Sequence, residues 1–449
     1  MTQHETLRRY GLFTSRAPRY ASYPTAQHFN TDVGPAKMAS WLEQVPDGAK
    51  VSLYVHIPFC RSLCWFCAYR TQGTKTDAPL RGYLDLLKSE LAMIANSLPA
   101  GVRLSKIHWG GGTPTILPAA MIRELADEID KYFSLSDGPE FSVEVDPNLL
   151  DAEKIAALGA AGLTRASMGI QDFDPHVQSA IGRAQSFEDT KWVAGSLREV
   201  GVKHLDLDIL YGLPFQTADS LTDTVAKALD LSPNRLALYG YAHVPWAAKR
   251  QVLIPEDHLP DGPTRYALFH MASQLIGAAG YDAVGIDHFA RPGDGLLNAS
   301  LNGTLRRNFQ GYTDDQAEVT IGIGASSISS FPAGYTQNAS ATSDYATAIT
   351  SGRLATTSGH VMTPDDKLRS QLIEDLMCRF AIDFSSASQR AGVKQSKVES
   401  MAAELHRNYA DVCTLSPDAL ILSEPALSRL MAKDLDTYQT PSNRHSLTI

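Results

Sequence analysis

Apolar and polar positions alternate along this chain in two periods. Val51 to Ile57 is almost wholly apolar and β-branched, which predicts a buried strand. Leu80, Tyr83, Leu84, Leu87 and Leu91 follow at helical spacing, giving one core-facing stripe. Asp77 is placed to cap that helix, with Pro79 in its first turn. Further strands are predicted over Leu104 to Trp109, Glu140 to Val145, Thr164 to Ile170, His204 to Leu210, Leu236 to Tyr239 and Asp282 to Ile286. Helices are predicted near Pro118 to Tyr132, then over Asp151 to Ala161, Ser186 to Val200, Thr217 to Leu229 and Pro263 to Ala279. Ser186-Phe187-Glu188-Asp189 has the form of a capping box. Strand–helix alternation of this kind implies parallel strands under covering helices. Its natural closure is a full or partial parallel α/β barrel, with the polar and Gly-rich residues after the strands gathered at one end.

The two ends read differently. Residues 1–48 carry little periodicity, and the Tyr- and Pro-rich stretch Ala17 to Ala26 predicts an ordered arm laid on the body. Residues 49–355 form the barrel domain. Residues 356–449 predict a small α-rich domain, with helices over Asp365 to Phe380, Val393 to His406 and Glu424 to Lys433 and a hairpin over Val412 to Leu422. A winged-helix shape fits that order. With a formal charge of −9, a lid or docking role is expected there rather than DNA binding. The 449 residues are too many for one ordinary core, so two or three domains are expected. There is no apolar run long enough to span a bilayer and no secretory signal, so a cytoplasmic protein without nucleic-acid partners is expected.

The chain holds five cysteines, and three of them, Cys60, Cys64 and Cys67, fall within eight residues just after the first strand. Thiolates bind soft metals, and three on one loop suit a [4Fe–4S] cube with one iron left open. Zinc competes, but a structural zinc site wants four protein ligands. Cys378 and Cys413 are distant, and His56 lies in the strand. Inert buried thiols are the third reading.

Gly110-Gly111-Gly112 follows the second strand, where it offers close backbone approach and free N–H groups to a ligand. Glu144 with Asp146, and Asp206 with Asp208, are acidic pairs two apart in strands, so each pair shares one face. Gln171, Arg183, His243, Asp287, His288, Arg291, Asn308 and Gln310 add polar groups near other strand ends. Together they predict a charged site with room for more than one small ligand.

Cys-x3-Cys-x2-Cys after the first strand and Gly112-Thr113-Pro114 after the second resemble the radical S-adenosylmethionine superfamily. More narrowly, the chain resembles the oxygen-independent coproporphyrinogen III dehydrogenases, the HemN family. The stretches that carry this are Pro18-Arg19-Tyr20 with Ser22-Tyr23-Pro24-Thr25, Tyr54 to Cys60, His108 to Thr115, Glu144 to Pro147 and Ser167-Met168-Gly169 with Gln171-Asp172-Phe173. Tyr211 to Pro214, Asp287 to Pro292 and Arg307 to Tyr312 complete the set.

The resemblance implies a [4Fe–4S] cluster on Cys60, Cys64 and Cys67. It implies S-adenosylmethionine contacts at Tyr54, Phe66, Gly111, Gly112, Thr113 and Glu144, and around the cofactors at Gln171, Arg183, Asp208 and Ala242. Phe309, Gln310 and Ile328 match a second S-adenosylmethionine site, and Arg19 and Tyr20 on the arm are candidates for the substrate. The implied reaction turns two propionates of coproporphyrinogen III into vinyl groups, in a monomer served by an unidentified reductant. One position departs: the family motif continues to a fourth Cys, and here it is Tyr69. That leaves a haem-binding chaperone, or another tetrapyrrole-directed radical enzyme, as alternatives.

Overall fold

A computed structural model describes residues 2–438 and 445–449. Its centre is one twelve-stranded sheet. In chain order the strands are β1 (Lys50–Ile57), β2 (Arg103–Gly111), β3 (Ser134–Val145), β4 (Arg165–Gln171), β5 (His204–Tyr211), β6 (Arg235–Gly240), β7 (Asp282–Val284) and β8 (His288–Ala290). Then come β9 (Thr320–Ile323), β10 (Ile328–Phe331), β11 (Gly334–Asn338) and β12 (Thr356–Val361). The spatial order is β12-β11-β10-β9-β1-β2-β3-β4-β5-β6-β8-β7. β9 and β1 to β6 are mutually parallel, and the flanking strands are antiparallel. β12 and β7 are the two edges and do not pair, so the barrel is partial.

The six predicted strands from Val51 to Tyr239 form as parallel strands. The seventh, Asp282 to Ile286, is shorter and lies antiparallel on the edge, because it pairs only with β8 as a tight ribbon. The seventh parallel position is taken by β9, a four-residue segment whose shortness and single glycine, Gly322, hide it in the sequence pattern.

Helices Ala78–Ser97, Ala119–Tyr132, Ala152–Ala160 and Phe187–Glu199 pack side by side on the outer face, with Ala218–Asp230 against Gly262–Ala278. Leu80, Tyr83, Leu84, Leu87 and Leu91 are buried as their spacing predicts. Asp77 sits at the N-cap but makes no capping bond, since its carboxylate pairs with Arg61 of the cysteine loop. Ser186 does cap, accepting the Asp189 N–H at 3.0 Å.

A second apolar core joins the chain's two ends. Leu7, Leu12, Phe13, Ala17, Tyr20 and Tyr23 of the arm are buried with Leu368, Leu372, Leu376, Leu430 and Met431. The C-terminal helices are Pro364–Arg379, Phe384–Ala391, Gln395–Asn408 and Ser428–Leu435, and the hairpin Cys413–Leu415 with Ala419–Leu422 is as expected. The helix Phe384–Ala391 was not expected. No described helix is long and apolar enough to cross a membrane.

Candidate active site

Side chains on successive inward positions of β1 to β6 build one cavity of about 330 Å³, in layers. The lowest layer is a charge ladder. Lys106 Nζ reaches Glu140 at 3.2 Å, Arg165 bridges Glu140 at 3.0 Å and Asp206 at 2.7 Å, and Arg235 reaches Asp294 at 2.7 Å. Burial would raise Glu140, but Arg165 and Lys106 outweigh it and hold the carboxyl down at about 2. Opposite charges on neighbouring strands therefore close the cavity floor without leaving bare ions inside.

The next layer holds His108, stacked on Tyr54 with ring centroids 5.7 Å apart and hydrogen-bonded to Ser142 Oγ at 2.7 Å. Asp208 shares this level. Burial, with Glu144, Asp206 and Asp287 as like charges nearby, raises it to about 8, so it holds a proton at neutral pH. Above it, Glu144 Oε2 accepts the Gly111 N–H at 3.0 Å and Oε1 lies 3.5 Å from His108 Nε2. Burial opposes its ionisation, but the His108 bond and the Gly111 N–H keep Glu144 below its ordinary value.

The rim carries the thiols. Cys60, Cys64, Cys67 and Phe66 all line the cavity, with Gly111, Gly112, Thr113, Gln171 and Arg183. Thr113 Oγ1 donates to Cys60 Sγ at 3.4 Å, and Arg183 Nη1 to Cys64 Sγ at 3.5 Å. The Trp65 N–H is held by the Ile181 carbonyl at 3.0 Å, and Gln251 Nε2 holds the Phe66 carbonyl at 2.7 Å, so the cysteine loop is tied to two other loops. Burial raises Cys60 to about 11 and also raises Cys67. A bound cation would reverse that by deprotonating the thiols.

Other expectations meet the structure unevenly. Asp146, Asp206, His288, Asn308, Gln310 and Tyr69 line the cavity. Tyr54 is not among the lining residues; its ring stacks on His108 and its hydroxyl lies 2.9 Å from His56 Nδ1. The Ala242 carbonyl accepts from Gln251 Nε2 at 3.0 Å, Phe309 packs edge-on to Phe29 and Tyr335, and Ile328 begins β10. His243 bonds Tyr241, and Arg291 bonds the Tyr281 hydroxyl. Tyr20 is buried with its hydroxyl on Asp436 at 3.1 Å, whereas Arg19 and Asp287 line a neighbouring smaller cavity.

The glycine turn differs from expectation. Its N–H groups are not free: Gly111 gives its own to Glu144 and Gly112 gives its own to the Ile57 carbonyl at 2.8 Å. Gly111 sits at φ +113°, and a Cβ there would lie 2.6 Å from the His56 ring. Glycine is needed for the fold of the turn itself.

Lys106, His108, Glu140, Arg165, Arg235 and Tyr239 were missed from the site. The signal was present: each lies two or four residues from a residue that was named, on the same face of its strand, or on the matching face of the next strand. Tyr69 leaves 73% of its surface open, and that surface faces the cavity. Its enclosed position inside the cavity, then Glu144 as a nearby like charge, raises its phenol.

A sequence model of the radical SAM superfamily matches residues 54–228. An oxygen-independent coproporphyrinogen III oxidase of Paracoccus denitrificans is 50% identical over all of both chains. One from Bradyrhizobium diazoefficiens is 41% identical over 97% of each. The solved structure of the Escherichia coli coproporphyrinogen III oxidase HemN, a radical SAM enzyme, superposes with a TM-score of 0.89 at 33% identity, covering 94% of this chain and 98% of that one. With that fold, and with identity sustained end to end, the chain belongs to the oxygen-independent coproporphyrinogen III oxidase family of the radical SAM superfamily.

Proposed function

We propose that this chain converts coproporphyrinogen III to protoporphyrinogen IX without oxygen, turning two propionates into vinyl groups with loss of carbon dioxide. The observation that carries the reading is that Cys60, Cys64 and Cys67 line the same cavity as Glu144, Gln171, Arg183 and Asp208. Family membership supplies the substrate class, and the relatives named above are all oxidases, which favours this over a haem-binding chaperone.

The residues fit a [4Fe–4S] cluster. Three soft donors share one wall, and Thr113 and Arg183 offer hydrogen bonds to the sulfurs. His56 is not a fourth ligand, because its ring nitrogens face the Tyr54 hydroxyl at 2.9 Å and Ser326 Oγ at 3.3 Å. Cys378 and Cys413 are buried in other clusters, so a four-ligand zinc site lacks its last member. When bound, the cluster and S-adenosylmethionine supply one-electron chemistry that removes hydrogen from an unactivated carbon.

The chain's own residues hold and shield. Glu144, oriented by Gly111 and His108, presents a carboxylate for a cationic or hydroxyl-bearing ligand, and Arg183 suits a carboxylate. Protonated Asp208 can donate a hydrogen bond within the cavity. The charge ladder of Lys106, Glu140, Arg165 and Asp206 excludes water from below. Gln310, which lines the cavity, is assigned to the second S-adenosylmethionine; Phe309, packed on Phe29 and Tyr335, and Ile328 do not line it. We also assign the protein to the cytoplasm, as a monomer reduced by a separate electron carrier, with residues 356–449 acting as a lid or docking unit on the barrel.

Iron content tests the reading. Reconstituted protein should hold about one cluster per chain. Cys60→Ala, Cys64→Ala and Cys67→Ala should each lose it, and Cys378→Ala and Cys413→Ala should keep it. Equal loss in all five variants would count against ligation.

A further inference from the structure

Behind the wall made by Tyr239 and His288 lies a second cavity of about 70 Å³, too small for a macrocycle and ample for a carboxylate group. Four guanidiniums line it: Arg19 from the arm, Arg265 from the helix Gly262–Ala278, Arg307 from Arg306–Asn308 and Arg429 from Ser428–Leu435. Two carboxylates are among the lining: Asp287, paired with His288 at 2.7 Å, and that of Ile449, which accepts from Arg265 Nε at 3.0 Å.

Main-chain carbonyls satisfy much of this set. Arg265 donates to the Gly212 and Tyr241 carbonyls and to the terminal carboxylate of Ile449, and Arg429 to the Ala17, Pro18 and Thr448 carbonyls. The neutral carbonyls around Arg429 satisfy its N–H groups but leave its charge uncompensated. Burial, with Arg19 and Arg307 close by, lowers Arg429 to about 10. Arg307 differs from the rest: its guanidinium lies over the Tyr312 ring, 4.4 Å from the centroid, and its buried Nε and Nη1 have no hydrogen-bond partner among the described residues.

We propose that this cavity binds the carboxylate of a tetrapyrrole propionate that is not being oxidised, with Arg307 as the contacting residue and the other guanidiniums setting the positive field. The proposal rests on the functional reading above and adds where the substrate is anchored. Position supports it. Asn308 and Gln310, just after Arg307, line the main cavity. Arg19 lies over the Tyr239 ring, 5.9 Å from its centroid, at the shared wall. A propionate held here would turn its macrocycle towards Tyr239, which lines the main cavity and stands beside Arg19. Two of the four propionates are never converted, so an anchor persists through both rounds.

The test is binding of coproporphyrin III, the fluorescent oxidised tetracarboxylate, to reconstituted protein, beside its tetramethyl ester. Arg307→Met should weaken tetracarboxylate binding by about 10- to 100-fold, the loss of one charge-assisted contact. Arg307→Lys should fall between, and the ester should bind both proteins alike. Iron content and thermal melting check that the variants fold. Equal tetracarboxylate affinity in wild type and Arg307→Met overturns the site while leaving the functional reading intact. An equal loss for the ester would make Arg307 a prop for the arm, to whose Arg19 carbonyl it donates at 3.3 Å, and also overturns it. A wild type that binds no coproporphyrin overturns the functional reading and this site with it.

Discussion

Replacing Glu144 by Gln removes one charge and keeps the shape. The Gln oxygen can still accept the Gly111 N–H, bonded at 3.0 Å in the wild type, so the turn Gly110 to Gly112 should hold. Iron content should therefore be unchanged. The lost element is the carboxylate, whose side chain is 44% exposed towards the cavity and is kept ionised against burial by His108 and the Gly111 N–H. A hydrogen bond to a charged group contributes about 1.5–3 kcal/mol. S-adenosylmethionine should then bind about 10- to 150-fold more weakly. The assay is anaerobic isothermal titration of reconstituted protein, with iron measured on the same samples. Because Glu144 titrates below its ordinary value, the wild-type affinity should be flat from about pH 6 to 9 as far as this group is concerned. Equal affinity in the two proteins at equal iron content would remove Glu144 from the cofactor site.

Two other substitutions probe the cavity. Tyr69→Cys puts a smaller, more acidic group, with a pKa of about 8.5 against about 10, where the open phenol stands. It should raise protoporphyrinogen IX formed per 5′-deoxyadenosine released, and an unchanged ratio would show that the phenol is tolerated. Asp208→Asn concerns stability. The folded pKa, about 8, lies above the unfolded value, so the contribution of this group is present below about pH 4 and lost as pH rises towards 8. Wild-type denaturation midpoints should fall relative to Asp208→Asn across that window, and parallel curves would refute the burial argument.

Much of the fold was legible because β1 to β6 and their helices each bury a continuous apolar face, which leaves a clear period in the sequence. The antiparallel flank was not. Ile328–Phe331, Gly334–Asn338 and Thr356–Val361 are short and rich in Gly, Ser, Thr and Gln, so their pairing depends on neighbours far along the chain. The cysteine wall was legible from spacing alone. The floor was not, because Lys106, Glu140 and Arg165 look like solvated charges until the sheet curls and makes each the partner of the next, with Arg235 on Asp294 beside them. Chemistry at Gly111 and Gly112 was misread for a related reason. Their N–H groups meet Glu144 and Ile57, and only the folded turn reveals those acceptors.

Coproporphyrinogen III turnover is the direct test: the reconstituted protein is incubated anaerobically with a strong one-electron reductant and S-adenosylmethionine, and the tetrapyrrole is followed by mass spectrometry. The tetrapyrrole should lose two carboxyl groups in succession, through a monovinyl intermediate to protoporphyrinogen IX, with one 5′-deoxyadenosine per vinyl group at full coupling. Steady release of 5′-deoxyadenosine with a tetrapyrrole of unchanged mass would contradict that conversion.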